Sequence, residues 1–129
     1  MAIGLDTSVV VRLLVGLPLR EYRAASDRLE KAYQAQEIVI VTDLVLAETY
    51  HALRHHYEVP DATARERLLE LVTSGLVVPE PAGAVRALAV EGGELMDRMI
   101  HQRHRSLDAL TVTFDRRQGR LEGSVLLGA

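Results

Sequence analysis

The chain has 129 residues, 48% of them apolar and 26% charged, with a formal net charge of −3. That length bounds it to about one domain able to bury roughly two-thirds of its unfolded surface, and the composition excludes a disordered chain. No cysteine is present, which excludes a disulfide framework, a thiolate metal site and a cysteine nucleophile. The longest apolar runs, such as residues 44–47, are far too short to span a bilayer, and the start lacks the basic-then-apolar pattern of a signal peptide. A cytoplasmic protein with no membrane partner is expected.

In chain order, residues 2–5 are a short apolar run suited to a buried strand. Residues 8–15 leave strand and helix both open, the valines favouring one and the Thr7-Ser8 opening allowing the other. An amphipathic helix is predicted over 19–36 with Pro18 at its entrance, then a β-branched strand over 38–41. A helix over 43–57 opens at Thr42 or Asp43 and closes before Pro60; another over 61–74 is capped by Asp61 and stopped by Gly75. Residues 76–78 read as a strand before Pro79, residues 82–90 and 94–105 as helices, and residues 110–114 and 124–127 as strands. No repeat, linker or low-complexity stretch interrupts them. Short apolar strands alternating with helices predict a single α/β domain over 1–129, with a parallel sheet covered on both faces. Ligands bind outside the carboxyl ends of such strands. Asp6 follows the first strand and Asp115 follows residues 110–114, so both are expected at one sheet edge.

A carboxylate between apolar stretches is costly unless compensated. Asp6 either caps the following helix, a task Thr7 or Ser8 would do equally well, or meets a cation. Glu48 is the only acid or base between Asp43 and Arg54 and lies beside Leu44, Val45, His51 and Ala52 at helical spacing. Asp97 falls in a first helical turn, where the dipole welcomes any carboxylate, and Asp115 heads a turn-like Asp-Arg-Arg-Gln-Gly stretch. Two acids from a sheet edge and two from helices would form a cluster whose repulsion calls for divalent cations. Magnesium prefers oxygen ligands, orients a phosphate, acidifies water and shields phosphoryl charge, which suits phosphodiester hydrolysis.

Asp6-Thr7-Ser8 followed by the apolar residues to Leu14 resembles the opening of PIN-domain proteins, above all VapC-type toxins. Ala47-Glu48 is similar to that family's helix carrying the second acid. Asp97-Arg98-Met99-Ile100 resembles the third acid and its helix, and Val112-Thr113-Phe114-Asp115 the closing strand with a threonine two before the fourth acid. The resemblance implies a three-layer α/β/α sandwich with a central, mostly parallel five-stranded sheet. It implies a ribonuclease using Mg2+, with Mn2+ the alternative. Its acidic site would be Asp6, Glu48, Asp97 and Asp115, with Ser8 and Thr113 as supporting hydroxyls. Asp6 and Asp97 would take the first metal, and Glu48 and Asp115 would complete the site or position water. The resemblance also implies an RNA substrate, a homodimer and a cognate antitoxin as the partner of a type II toxin. Two rival expectations are a PIN-like module that binds RNA or a partner with little catalysis, and an RNA-processing nuclease outside any toxin–antitoxin pair.

Basic residues are fourteen arginines and Lys31. Arg98, Arg103, Arg105, Arg116, Arg117 and Arg120 gather within 94–120, and Arg116 and Arg117 are expected to steer an RNA backbone. With no tryptophan and only Phe114, contact to RNA is expected to be phosphate-led and salt-sensitive. His51 and His55 have the spacing of paired zinc ligands, but Ala52 stands where a zinc protease has glutamate. Glu48-x-x-His51 is half of a di-iron motif with no second copy. All five histidines read as solvent-facing or hydrogen-bonded, with contact to RNA a lesser alternative for His101 and His104. A phosphohydrolase with Asp6 as nucleophile would want a second aspartate at position 8, where Ser8 stands.

Overall fold

In the computed structural model, which describes residues 1–90 and 94–128, strand β1 (Ala2–Gly4) pairs in parallel with β2 (Ile38–Thr42), and β2 with β3 (Val78–Glu80). The β-branched Ile-Val-Ile-Val-Thr run of β2 places Val39 and Val41 in the core. Beyond β1 the ladder continues by one bond, Leu5 N–H donating to the Ile40 carbonyl at 2.9 Å. That bond delivers Asp6 to the carboxyl end of the strand.

The open choice over 8–15 falls to helix: α1 runs Thr7–Val15, buries Val10 and Val11, and ends where Gly16 turns left-handed at φ 78°. Helix α2 (Leu19–Gln34) has Pro18 at its N-cap position and stops short of Gln36, whose φ is 56°. Helix α3 (Asp43–His55) is opened by Thr42, whose hydroxyl accepts from Val45 N–H at 3.4 Å. Helix α4 (Asp61–Thr73) begins behind Pro60, and Asp61 does not cap it. The Asp61 carboxylate instead accepts from the Tyr50 hydroxyl and from Arg65 Nε at 3.1 Å, tying α3 to α4. Strand β3 includes Pro79 rather than ending before it. The sheet order β1-β2-β3 makes it an edge strand, where proline's missing donor is tolerated.

Helices α5 (Ala84–Ala89) and α6 (Leu95–Ser106) follow, then β4 (Thr111–Thr113), the short α7 (Arg116–Gly119) and β5 (Ser124–Leu126). The chain is thus α/β, with parallel strands flanked by helices, as the alternation of elements predicts. The expected single five-stranded sheet is divided: β4 and β5 form their own parallel pair. The physical reason is length. Three-residue strands offer few ladder bonds to a neighbour, and β1 and β4 are each only that long. Val112 of β4 and the following Phe114 are exposed, at 60% and 76%. Among the described residues no helix is long and apolar enough to cross a membrane.

The core centres on Leu46, Leu68, Val10 and Val41, which are fully buried where α1, α3, α4 and β2 meet. A charged pair ties α3 to α6 beside it. Asp43 is 6% exposed, and its carboxylate accepts from Arg103 Nε at 2.9 Å, from the same guanidinium's terminal nitrogen, and from Leu44 N–H at 2.9 Å. The pair fixes the start of α3 against α6, the helices that carry Glu48 and Asp97. Removing one partner leaves the other short of hydrogen bonds. Because the Arg103 side chain is 40% exposed, solvent offsets part of that loss. Asp43→Ala is expected to destabilise the fold by about 1–3 kcal/mol. Urea unfolding measures this, and a change within experimental error would show that the pair does not secure the two helices.

Candidate acidic site

Two strand ends, those of β1 and β4, and two helices, α3 and α6, set the positions of the acids. Asp6 occupies the N-cap position of α1 with extended backbone, yet its side chain makes no capping bond. Its only described side-chain partner is the Ser8 hydroxyl, which donates to Oδ2 at 3.4 Å. The carboxylate is exposed, and the capping alternative is therefore not used. Thr7, next in the chain, donates its hydroxyl to Glu48 Oε1. That bond joins the first turn of α1 to the second turn of α3 and sets Glu48 toward Asp6.

Asp6, Thr7 and Glu48 line one cleft of about 840 Å3 between α3 and the start of α6. Glu94 and Met96 close it from the α6 side, and Tyr50, His51 and His55 extend it along α3. Glu48 lies on the exposed face of α3, where Leu44 is 75% exposed, rather than beside a buried apolar stripe. The helix turns its buried residues Leu46 and Leu53 the other way.

Asp97 lies in the first turn of α6, as expected, and is half-buried. Burial lifts its carboxyl above the usual carboxylate range, and the charges of Asp115 and Glu94 lift it further. Asp115 caps α7, its Oδ1 accepting from Arg117 N–H at 2.7 Å and Gln118 N–H at 3.0 Å. Thr113 supports the same turn, its hydroxyl accepting from Asp115 N–H at 3.0 Å. Gln118 Nε2 donates to the Asp97 carbonyl at 2.9 Å, which holds α7 on the first turn of α6 and brings the two aspartates within each other's field. Arg116 and Arg117 are exposed on α7.

The described contacts thus link Asp6 to Glu48 through Thr7 and a shared cleft, and Asp97 to Asp115 through Gln118. Among the described residues no three histidine or acid side chains stand together as a ready-made metal-binding group. Glu94 is the link that sequence reasoning missed, since it shares the cleft with Asp6 and Glu48 and also acts on Asp97. Its position three residues before Asp97 was the available signal. The donor set is oxygen throughout, carboxylates with neighbouring hydroxyls, which suits Mg2+ or Mn2+. Burial raises the Asp97 carboxyl first and the charges of Asp115 and Glu94 add to it, and a bound cation would offset both.

His101 and His104 are not turned to a ligand. His101 is 6% exposed, and both Nδ1 atoms meet the Thr111 hydroxyl, at 3.0 and 2.8 Å, which fastens β4 to α6. Burial draws the His101 imidazole below its ordinary value, and the cations of Arg105, His104 and Arg98 push the same way against a hydrogen bond to the Glu122 backbone.

The family model described as PIN domain matches residues 3–123, which takes in all four acids and both supporting hydroxyls. No curated protein and no solved structure matches the chain. On a family match of that extent, together with strand ends that each hand an acid to the following helix, the chain belongs to the PIN-domain family.

Proposed function

We propose that the chain is a single PIN-like domain over 1–129 that hydrolyses RNA phosphodiester bonds as a metal-dependent endoribonuclease. PIN domains are typically metal-dependent nucleases. The observation that carries the reading is Asp6, which stands at a strand's carboxyl end, forgoes capping, and shares a cleft with Glu48 and Glu94. Asp6, Glu48, Asp97 and Asp115 would hold Mg2+ or Mn2+. When bound, such a cation orients the scissile phosphate, acidifies a water and offsets charge on the phosphoryl oxygens. The chain's own groups do the rest. Ser8 orients the Asp6 carboxylate and Thr7 holds Glu48 toward it. Thr113 sets the turn that presents Asp115, whose capping bonds engage Oδ1 alone. Arg116 and Arg117, exposed beside Asp115, draw the RNA backbone toward the acids.

The finer reading is a cytoplasmic toxin of a type II pair, homodimeric and restrained by a cognate antitoxin. Its support is the VapC-like opening from Asp6 to Leu14 and the order of the four acids. The rival reading, a PIN-like module that binds RNA or a partner with little catalysis, rests on the same family match.

Cleavage of a structured RNA separates the two. The expected result is cleavage with Mg2+, none with chelator, and a loss of roughly a hundredfold or more in Asp6→Asn and Asp97→Asn, since a positioned cation is worth several kcal/mol. Activity unchanged in either variant would overturn the assignment. Growth arrest on expression, relieved by Asp6→Asn and by the product of a neighbouring small reading frame, would separate a toxin from an RNA-processing nuclease.

Stability supplies an independent check with a definite sign. Asp97 binds its proton more tightly folded than unfolded, so above the ordinary carboxylate range its ionised form works against the fold. Metal-free Asp97→Asn is therefore expected to be at least as stable as the parent at neutral pH. The difference should close as pH falls through the window between the raised folded value and the unfolded one, where the parent takes up its proton. Mg2+ should raise the parent's Tm and raise the variant's less. A markedly lower Tm for the metal-free variant would make Asp97 a structural residue of the α6 turn instead.

A further inference from the structure

We propose that His51 and His55 form a nucleobase-binding subsite that receives the RNA strand beside the acids. The inference rests on the ribonuclease reading and adds a feature of substrate recognition to it. Both imidazoles are exposed and line the same cleft as Asp6, Glu48 and Glu94. Their ring centroids are 4.3 Å apart with the planes inclined by 41°. Counting from Glu48, they fall three and seven residues on, so one face of α3 carries the acid and then both rings. They lead out of the acid site along the helix.

Charge selects which part of a nucleotide this surface suits. Three carboxylates line the cleft, and its guanidinium, Arg54, donates to the Val59 carbonyl at 3.0 Å. Bare phosphate is disfavoured there. The walls from Leu44, Val45, Ala47 and Met96 are apolar, which suits a flat, uncharged group. A nucleobase has that character and stacks on aromatic faces. Of the other rings near the acids, Tyr50 is half-buried with its hydroxyl on Asp61, His101 and His104 meet Thr111, and the exposed Phe114 beside Asp115 is not part of the cleft lining. The imidazole pair is the aromatic surface that the cleft leaves open.

The test uses the full chain, chelator to keep RNA intact, and a fluorescein-labelled single-stranded RNA of roughly ten nucleotides, a length within known single-strand site sizes. Fluorescence anisotropy should show affinity falling roughly tenfold or more in the double variant His51→Ala/His55→Ala, the scale of losing a base stack. His51→Phe/His55→Phe should restore most of it. On titration with the RNA, the imidazole NMR signals of His51 and His55 should move while those of His101 stay. Both residues are exposed, and unchanged thermal melting confirms that the variants fold. Equal affinity in the double alanine variant, or no restoration by phenylalanine, overturns the subsite. If that happens while Asp6→Asn still abolishes cleavage, the nuclease reading stands alone; a parent that neither binds nor cleaves RNA overturns both.

Discussion

Carboxylates brought close in a partly dry setting raise one another's proton affinity, and a fold that gathers them must restrain each one separately. Here that restraint comes from hydroxyls and backbone rather than from arginines. Thr7 holds Glu48, Ser8 reaches Asp6, and Thr113 fixes the turn that presents Asp115. An arginine in any of these places would neutralise the acid and lower its pull on a cation. Arginine pairing is reserved for acids elsewhere, as in Asp43 with Arg103 and Asp61 with Arg65. The distinction separates acids that build the fold from acids that are left charged and available.

A carboxylate at a strand's carboxyl end has two outlets, capping the next helix or remaining available, and this chain uses both. Asp6 leaves α1 uncapped, while Asp115 spends one oxygen on two backbone N–H groups of α7. The difference follows from helix length. α1 has nine residues and buries Val10 and Val11, so packing holds it without a cap. α7 has four residues and would not persist without its cap. Gln118 then ties α7 to Asp97, so a short helix that capping sustains becomes the device that brings the third and fourth acids together.

Much of this was legible in the sequence, because the relevant signals were local. Proline marked the entrance of α2 and the limit of α3, Gly75 marked the stop of α4, and the β-branched run of β2 needed no context. The four acids could be named from their places after strands and within helices. What escaped depends on partners distant in sequence. Asp61 has the composition of a cap, yet Tyr50 and Arg65 claim it; Asp43 finds Arg103 sixty residues on. Glu94 reads as an ordinary helix-start acid until the cleft shows it facing Asp6 and Glu48. The division of the sheet escaped for another reason. Strand order follows from pattern, but whether three-residue strands join depends on a bond or two that no pattern encodes.

The histidines carry that lesson to the site itself. His51 and His55 share a spacing and a helix, as His101 and His104 share theirs, and composition treats the pairs alike. Burial separates them. On α6 the imidazoles face Thr111, and the one proton of that hydroxyl can be donated to only one of the two Nδ1 atoms, so the other ring must donate to it. That reciprocity commits both rings to the fold. On α3 the rings meet each other, and both line the cleft that holds Asp6 and Glu48. Where the histidines of α6 fasten the strand that delivers Asp115, those of α3 line the cleft of Asp6 and Glu48, along which a strand of RNA would approach those acids.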